Sequence, residues 1–208
     1  KRLKPAPFFS ADSEALISVG GFESHLIHLQ EYDWIVEAIV EQLDAKRQLL
    51  ERVDSVRTPG TIVSSNTSGI PIVDITKDRS TDFRKYSLGT HFFNPPRYMK
   101  LVEIIPSEKT NADLIPPMAV FLEEALGKGV VYAKDTPNFI ANRIGVYGMM
   151  VTLEEAQKKK LSIEDVDGLT GSLIGRPKSA TFRTADIVGL DTMCFVANTA
   201  YEKCTNDP

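Results

Sequence analysis

The sequence predicts an α/β domain with a largely parallel sheet, followed by an all-helical domain. Short apolar, β-prone runs alternate with segments of helical periodicity as far as residue 133, and this alternation is typical of parallel strands joined by helices. Beyond residue 133, strand-like runs are almost absent. We therefore expect one domain at 1–133 and a second, helical domain at 134–208.

The first part of the α/β domain is expected to contain three strands and one helix. The apolar run at 15–19 predicts a short strand, and the run at 33–40 is apolar at nearly every position, as in strands covered on both faces. Apolar residues then recur at helical spacing over 43–53. The run at 61–65 follows a Pro-Gly turn and predicts the third strand.

The second part predicts strands at 88–93, 101–105 and 129–133, with a helix at 112–126 that ends at a glycine. In the helical domain, Pro137 follows two N-cap candidates and suits the first position of a helix. We therefore expect the first helix of that domain to begin there.

The composition argues against several classes of protein. The net charge of −4 and the pI near 5.5 argue against nucleic-acid binding, which requires clustered Lys and Arg. No apolar run approaches the roughly 20 residues that a membrane span needs. Cys194 and Cys204 lack a second cysteine pair or nearby histidines, so we expect no metal site but free thiols in a reducing cytoplasm.

Polar residues lie near the ends of the predicted strands and at the start of the helical domain, and open α/β sheets bind ligands where strands end. These residues are Glu41, Ser68, His91, Glu103 and Asn142. Glu103 is the most informative, because a carboxylate between Val102 and Ile104 in a buried strand needs a partner.

His91 lies twelve residues earlier, on a strand that could run alongside that of Glu103. A carboxylate that holds one imidazole nitrogen raises the basicity of the other, as in a general base. A structural ion pair would explain the same pattern, and the residues alone leave both interpretations open.

Five ordered motifs resemble the 3-hydroxyacyl-CoA dehydrogenase family from about residue 33 to the C-terminus. They read VEAIVEQLDAK, SSNTSGI, GTHFFNPPRYMKLVEIIP, KDTPNFIANRIG and GRPKSATFRTADIVGLD. The likeness is strongest to the version that begins a longer bacterial fatty-acid β-oxidation polypeptide with an enoyl-CoA hydratase region downstream. It implies a Rossmann-like domain, NAD as cofactor, an acyl-CoA substrate, and a homodimer formed through the helical domain.

The resemblance also implies roles for individual residues. His91 matches the base that takes the proton of the 3-hydroxyl, and Glu103 matches its carboxylate partner. Ser68 and Asn142 match residues that hold the substrate oxygen and the reacting groups. The positions expected on the cofactor side are Glu41, Lys46, Asn66 and Asn94.

One part of the family pattern does not occur in these 208 residues. The family has a GxGxxG turn that receives the pyrophosphate at a helix N-terminus, and Gly20-Gly21 is a different pattern. The expectation is that the chain begins after roughly the first two strands of the dinucleotide-binding domain. It would then bind NAD weakly by itself.

Three other functions remain as alternatives. Ser68, His91 and Glu103 occur in the order of an acyl hydrolase, but Ser68 does not lie in a GxSxG elbow. The chain could also serve as a non-catalytic assembly module, or belong to a sister hydroxyacid dehydrogenase with a non-CoA substrate.

Overall fold

A computed structural model describes Phe8 and residues 10–205. Five strands form one sheet in chain order: β1 (Trp34–Glu37), β2 (Ile62–Ser65), β3 (Ser87–Phe92), β4 (Leu101–Pro106) and β5 (Gly129–Tyr132). The pairs β1–β2, β2–β3 and β4–β5 are parallel, and only β3–β4 is antiparallel. The predicted α/β class with a largely parallel sheet is therefore confirmed.

The helices are α1 (Leu43–Val56), α2 (Ile72–Ile75), α3 (Thr81–Lys85), α4 (Ile115–Val120), α5 (Ala141–Lys159), α6 (Ile163–Thr170), α7 (Phe182–Val188) and α8 (Leu190–Lys203). Short 3-10 turns cover Ala11–Leu16, Leu26–Glu31, Ala112–Leu114 and Ser172–Ile174, and a π-helical turn at Phe121–Ala125 continues α4. In residues 10–205, no helix is both long enough and apolar enough to cross a membrane.

In the N-terminal region one predicted strand is wrong and another is shorter than expected. In place of the strand expected at 15–19, a 3-10 turn spans Ala11–Leu16 and residues 17–19 adopt no regular structure. The Ser10 side chain caps the start of this turn by accepting the Asp12 N–H. Leu16 is 87% exposed, so its apolar character reflects no burial in the sheet. The expected strand at 33–40 stops at Glu37, whose carboxylate accepts the Ile39 N–H at 2.7 Å and turns the chain. Glu41 consequently lies in a loop.

The two faces of the sheet differ in character. One face carries a buried apolar cluster with α4, formed by Leu88, Val102, Ile104, Met118, Ala119 and Leu122. Side chains alternate along a strand, so His91 lies on the face opposite Leu88. Glu103 lies on the same face as His91, because the two residues are register partners in β3 and β4.

The chain folds into two compact units. Within the described residues, the first unit contains those up to 67 and 72–133, and the second contains 68–71 and 134–205. All regular elements of the second unit, within the described residues, are helices. Its first helix begins at Ala141 and not at Pro137, because Asn138 and Phe139 adopt left-handed backbone angles, with φ of 61° and 48°.

An ion pair joins α1 to α3 in the first unit. Arg57 Nη2 donates to Asp82 Oδ2 at 2.7 Å, and the Gly60 N–H donates to the same oxygen at 3.2 Å. Desolvation raises the pKa of Asp82, but the hydrogen bonds from Arg57 and Gly60 outweigh it and hold that pKa below its usual value. The ionised form of Asp82 therefore stabilises the fold.

We predict that Asp82→Asn lowers the free energy of unfolding by about 1 kcal/mol at pH 7. The expected loss is small because the Asp82 side chain is 42% exposed, so that solvent weakens its attraction to Arg57. A lowered folded-state pKa stabilises the fold above the ordinary carboxyl pKa, and this contribution is lost as the pH falls through the folded-state value. The difference in the free energy of unfolding between wild type and Asp82→Asn should therefore shrink below about pH 4.

Urea unfolding followed by the fluorescence of Trp34, the one tryptophan of the chain, reports on the first unit. Glu51→Gln, at an exposed position of α1, is the control and should change stability by less than about 0.5 kcal/mol. A difference for Asp82→Asn that persists undiminished at pH 3 would contradict the prediction.

Candidate active site

His91 and Glu103 form a buried pair on the polar face of the sheet. They are direct partners in the antiparallel register of β3 and β4, and His91 Nδ1 lies 2.6 Å from Glu103 Oε2. His91 is 4% exposed and Glu103 is 1% exposed. With Nδ1 held by the carboxylate, Nε2 becomes the nitrogen suited to exchange a proton with a substrate.

A second polar cluster lies at the carboxyl end of β1. Lys46 Nζ donates to both oxygens of Glu37, at 2.9 and 3.1 Å, and lies 3.1 Å from Glu41 Oε2. The side chains of Lys46 and Glu37 are each 1% exposed, whereas that of Glu41 is 26% exposed. Of these three charged groups, Glu41 is therefore the one that a ligand can reach.

Two hydroxyl residues at and just beyond the end of β2 close this cluster into a ring. Ser65 donates from Oγ to Glu37 Oε2 at 2.5 Å and accepts the Thr67 N–H at 3.2 Å. Thr67 Oγ1 donates to Glu41 Oε1 at 2.5 Å. We call the closed circuit of Glu37, Lys46, Glu41, Thr67 and Ser65 the Glu37 ring.

The sequence pointed to only part of this ring. Glu41 and Lys46 were singled out, and Ser65 and Thr67 lie in the motif SSNTSGI without an assigned role, but Glu37 was missed. A signal for Glu37 was present, because a carboxylate within the apolar run at 33–40 needs a partner for the same reason as Glu103.

Asn66 and Asn94, the other two residues expected on the cofactor side, lie in different surroundings. The Asn66 N–H donates to the Glu37 carbonyl at 2.7 Å, and its Oδ1 accepts the Phe92 N–H at 2.9 Å. Asn66 therefore ties the loop after β2 to the end of β3, next to His91. Asn94 lies at an exposed position two residues beyond β3.

Ser68 and Asn142 come together in the second unit. Asn142 Nδ2 donates to the Ser68 carbonyl at 2.6 Å, and the Asn138 N–H donates to the Gly69 carbonyl at 3.1 Å. Asn142 is the second residue of α5 and not one turn inside the helix, as its sequence position suggested. A side chain at Gly69 would bring its Cβ into a clash with Asn138 Oδ1, so this close approach requires glycine.

Family models match both parts of the chain. Residues 2–136 match the NAD binding domain of 3-hydroxyacyl-CoA dehydrogenase, and residues 139–208 match the C-terminal domain of the same enzyme. The chain belongs to the 3-hydroxyacyl-CoA dehydrogenase family. The resemblance inferred from the five motifs is thereby confirmed, together with NAD as the cofactor of the family's first domain.

Individual relatives agree with this assignment. A Bacillus subtilis protein named a probable 3-hydroxyacyl-CoA dehydrogenase is 53% identical over 98% of this chain and 26% of its own length. A Rickettsia felis protein named as a putative fatty acid oxidation complex trifunctional enzyme is 32% identical over 96% of this chain and 29% of its own length. This chain thus spans about a quarter of these longer polypeptides.

A solved structure shows the same fold. The (S)-3-hydroxybutyryl-CoA dehydrogenase of Ralstonia eutropha superimposes with a TM-score of 0.78 at 29% identity, covering 88% of this chain and 63% of that one.

The polar groups at the carboxyl ends of β1 and β2 fit a ribose of NAD. Glu41 presents a partly exposed carboxylate there, which could accept hydrogen bonds from ribose hydroxyls, and this edge is where doubly wound sheets bind dinucleotides. The three N–H donors of Lys46 have acceptors within the protein.

We predict that Lys46→Met lowers the free energy of unfolding by about 3 kcal/mol or more, because it leaves the buried Glu37 carboxylate without a counter-charge. Thr67→Val removes one hydrogen bond of the same ring without changing the charge of the ring, and should lower the free energy of unfolding by about 1 kcal/mol. Urea unfolding followed by Trp34 fluorescence measures both. A loss for Lys46→Met no larger than that for Thr67→Val would contradict the prediction.

Proposed function

We propose that the protein oxidises (S)-3-hydroxyacyl-CoA to 3-ketoacyl-CoA with NAD, in fatty-acid β-oxidation. The observation that carries this proposal is the 2.6 Å contact between His91 Nδ1 and Glu103 Oε2 in a buried setting. Family membership supplies the reaction, since a buried His–Glu pair alone would fit several proton transfers.

His91 acts as the general base in the proposed mechanism. Its Nε2 takes the proton of the substrate's 3-hydroxyl, and the Glu103 carboxylate holds the ring in one orientation and stabilises the imidazolium that forms. NAD, when bound, accepts the hydride from C3 of the substrate. In the reverse direction His91 returns the proton to the oxygen.

Other residues are proposed to bind and orient the reactants. Glu41 accepts hydrogen bonds from the nicotinamide ribose, and Lys46 acts on the cofactor by orienting Glu41 at 3.1 Å. Asn66 and Asn94 support the same side of the site. Ser68 and Asn142, which are hydrogen-bonded to each other, hold the substrate oxygen.

We predict that His91→Ala lowers kcat for acetoacetyl-CoA reduction by about 10²- to 10⁴-fold in the protein encoded by the complete gene. The dissociation constant of NADH should change less than about twofold, because His91 is proposed to act on the substrate and not on the nucleotide. NADH absorbance measures the rate, and NADH fluorescence measures binding.

Glu103→Gln should also lower kcat, because the amide no longer compensates the charge of the imidazolium. His28→Ala is the matched control, since His28 is a solvent-exposed histidine with 55% of its side chain accessible. Full activity in His91→Ala would overturn the proposed role of His91, whereas a wild type that neither reduces acetoacetyl-CoA nor binds NADH would favour a non-catalytic assembly module. An inactive wild type that still binds NADH would favour a non-CoA hydroxyacid substrate.

The proposed assembly is a homodimer formed through the helical unit. Three apolar side chains on one face of α5 are exposed, namely Ile144 (67%), Tyr147 (52%) and Val151 (40%). Their spacing of three and four residues aligns them along the helix. An apolar stripe of this kind is typical of a protein interface.

We predict that Ile144→Glu combined with Val151→Glu converts the dimer to a monomer, because two carboxylates would have to be desolvated at the interface. Sedimentation velocity measures the change. Gln157→Glu, at an exposed position on another side of α5, is the control and should leave the dimer intact. A dimer that survives the double substitution would exclude this face.

A linked enoyl-CoA hydratase region is proposed for the complete polypeptide, supported by the trifunctional name of the R. felis relative. A cytoplasmic location is proposed as well, supported by Cys194 and Cys204, both of which are unpaired thiols.

A further inference from the structure

We propose that Lys128 is a positioning residue for His91. Its ammonium holds the loop of residues 93–100, and this loop places Phe93 against the His91 ring. The inference rests on the proposed function, because it takes His91 as the general base. All of these residues belong to the first unit.

The loop at 93–100 joins β3 to β4 and buries few of its side chains. Residues 94–96 and 98–100 are exposed, with Tyr98 at 52% and Met99 at 43%. The N–H groups of Tyr98 and Met99 both donate to the Pro95 carbonyl at 3.0 Å, which forms one turn within the loop. A loop with so little apolar burial depends on polar contacts to keep a single conformation.

Lys128 supplies such contacts from the turn that precedes β5. Its Nζ donates to the carbonyl of Pro96 and, at 2.8 Å, to the carbonyl of Met99, so that it binds the loop at two points. The same Nζ lies 5.6 Å from the ring centroid of Phe92, the last residue of β3. Hydrogen bonds from a charged donor are stronger than those between neutral groups. One ammonium therefore connects the loop to the end of the strand that carries His91.

The backbone at Lys128 is itself fixed on both sides. The Lys128 N–H donates to the Leu122 carbonyl at 3.0 Å, and the Gly129 N–H donates to the Lys100 carbonyl at 2.8 Å. Leu122 is completely buried in the apolar cluster under the sheet, and Lys100 directly precedes β4. The ammonium is thus attached to the core, and it holds the loop in place relative to that core.

Phe93 connects the loop to the proposed base. Its ring centroid lies 4.4 Å from that of His91, with the two planes inclined by 50°. The Glu103 contact fixes Nδ1 of His91, and Phe93 restricts the movement of the rest of the imidazole ring. Proton transfer requires Nε2 within hydrogen-bond reach of the substrate oxygen, so a small displacement of the ring lowers the rate.

A purely structural role of Lys128 has a different consequence. If Lys128 only stabilised the turn before β5, its loss would lower the free energy of unfolding, but the folded protein would keep its kcat. A positioning role instead predicts a lower kcat, and a loss that depends on Phe93.

The test is a double-mutant cycle of Lys128→Met and Phe93→Leu in the protein encoded by the complete gene. The kcat for acetoacetyl-CoA reduction is measured at saturating NADH, so that a change in cofactor affinity does not enter. Each single substitution should lower kcat about tenfold. Because both act on His91 by one route, the double variant should lie within about twofold of the slower single variant, whereas independent effects would multiply to about 100-fold.

Two further variants complete the cycle. Lys128→Arg keeps a charged donor for the two carbonyls and should bring kcat to within about threefold of wild type. Lys109→Met removes an exposed lysine in the turn after β4 and should leave kcat unchanged. Wild-type kcat in Lys128→Met would overturn the inference, and so would a double variant whose loss is the product of the two single losses.

Urea unfolding followed by Trp34 fluorescence shows whether Lys128→Met folds. If it does not, Lys128→Gln takes its place, since its shorter amide side chain has no charge, and its kcat should fall about fivefold. A folded Lys128→Gln with full kcat would contradict the inference. Failure of the wild type to reduce acetoacetyl-CoA would overturn the proposed function together with this inference, whereas activity that depends on His91 but not on Lys128 would overturn the inference alone.

Discussion

Two carboxylates buried on one face of the sheet constrain the rest of this structure. Glu37 pairs in register with Ser65, and Ser65 pairs with Gly89. His91 lies two residues beyond Gly89 on the same face and pairs with Glu103. Buried carboxylates are strongly unfavourable without partners, so this face must supply donors to both. It does so with an imidazole in one case, and with an ammonium, a hydroxyl and an amide in the other.

This requirement explains why the two faces of the sheet carry different chemistry. The face toward α4 is mostly apolar, and its buried hydroxyls, those of Ser64 and Thr90, bond to each other and to the Trp34 indole. The other face is ordered by hydrogen bonds, and its donors and acceptors are groups that can also act on ligands. Gly89 separates the two polar sites, and a Cβ there would lie 2.9 Å from side-chain atoms of Ile105 and Ile72. Tight aliphatic packing thus lies between the His91 pair and the Glu37 ring.

Some features of this molecule were predictable from the sequence and others were not. The partner of Glu103 was predictable, because an acid in a buried strand has few possible partners and His91 was close in sequence. Glu37 gave the same signal inside the predicted strand at 33–40 and was overlooked, because its partner Lys46 lies in the following helix and not in a neighbouring strand. The strand at 15–19 was wrong because an apolar run does not by itself specify burial, as the exposure of Leu16 shows. The helix start at Pro137 was wrong because the left-handed turn at Asn138 intervenes.

The sequence by itself determined the α/β class, the family, and the identity of the His–Glu pair, because periodicity and motif spacing are local properties of the chain. Only the tertiary structure decided that Lys46 is enclosed between two carboxylates and that Ser65 and Thr67 close the ring. It also decided that the loop at 68–71 groups with the helical residues. These features depend on contacts between residues that lie far apart in sequence, such as Ser65 and Glu37. Such contacts arise only when the strands adopt their register and the helix packs beside them.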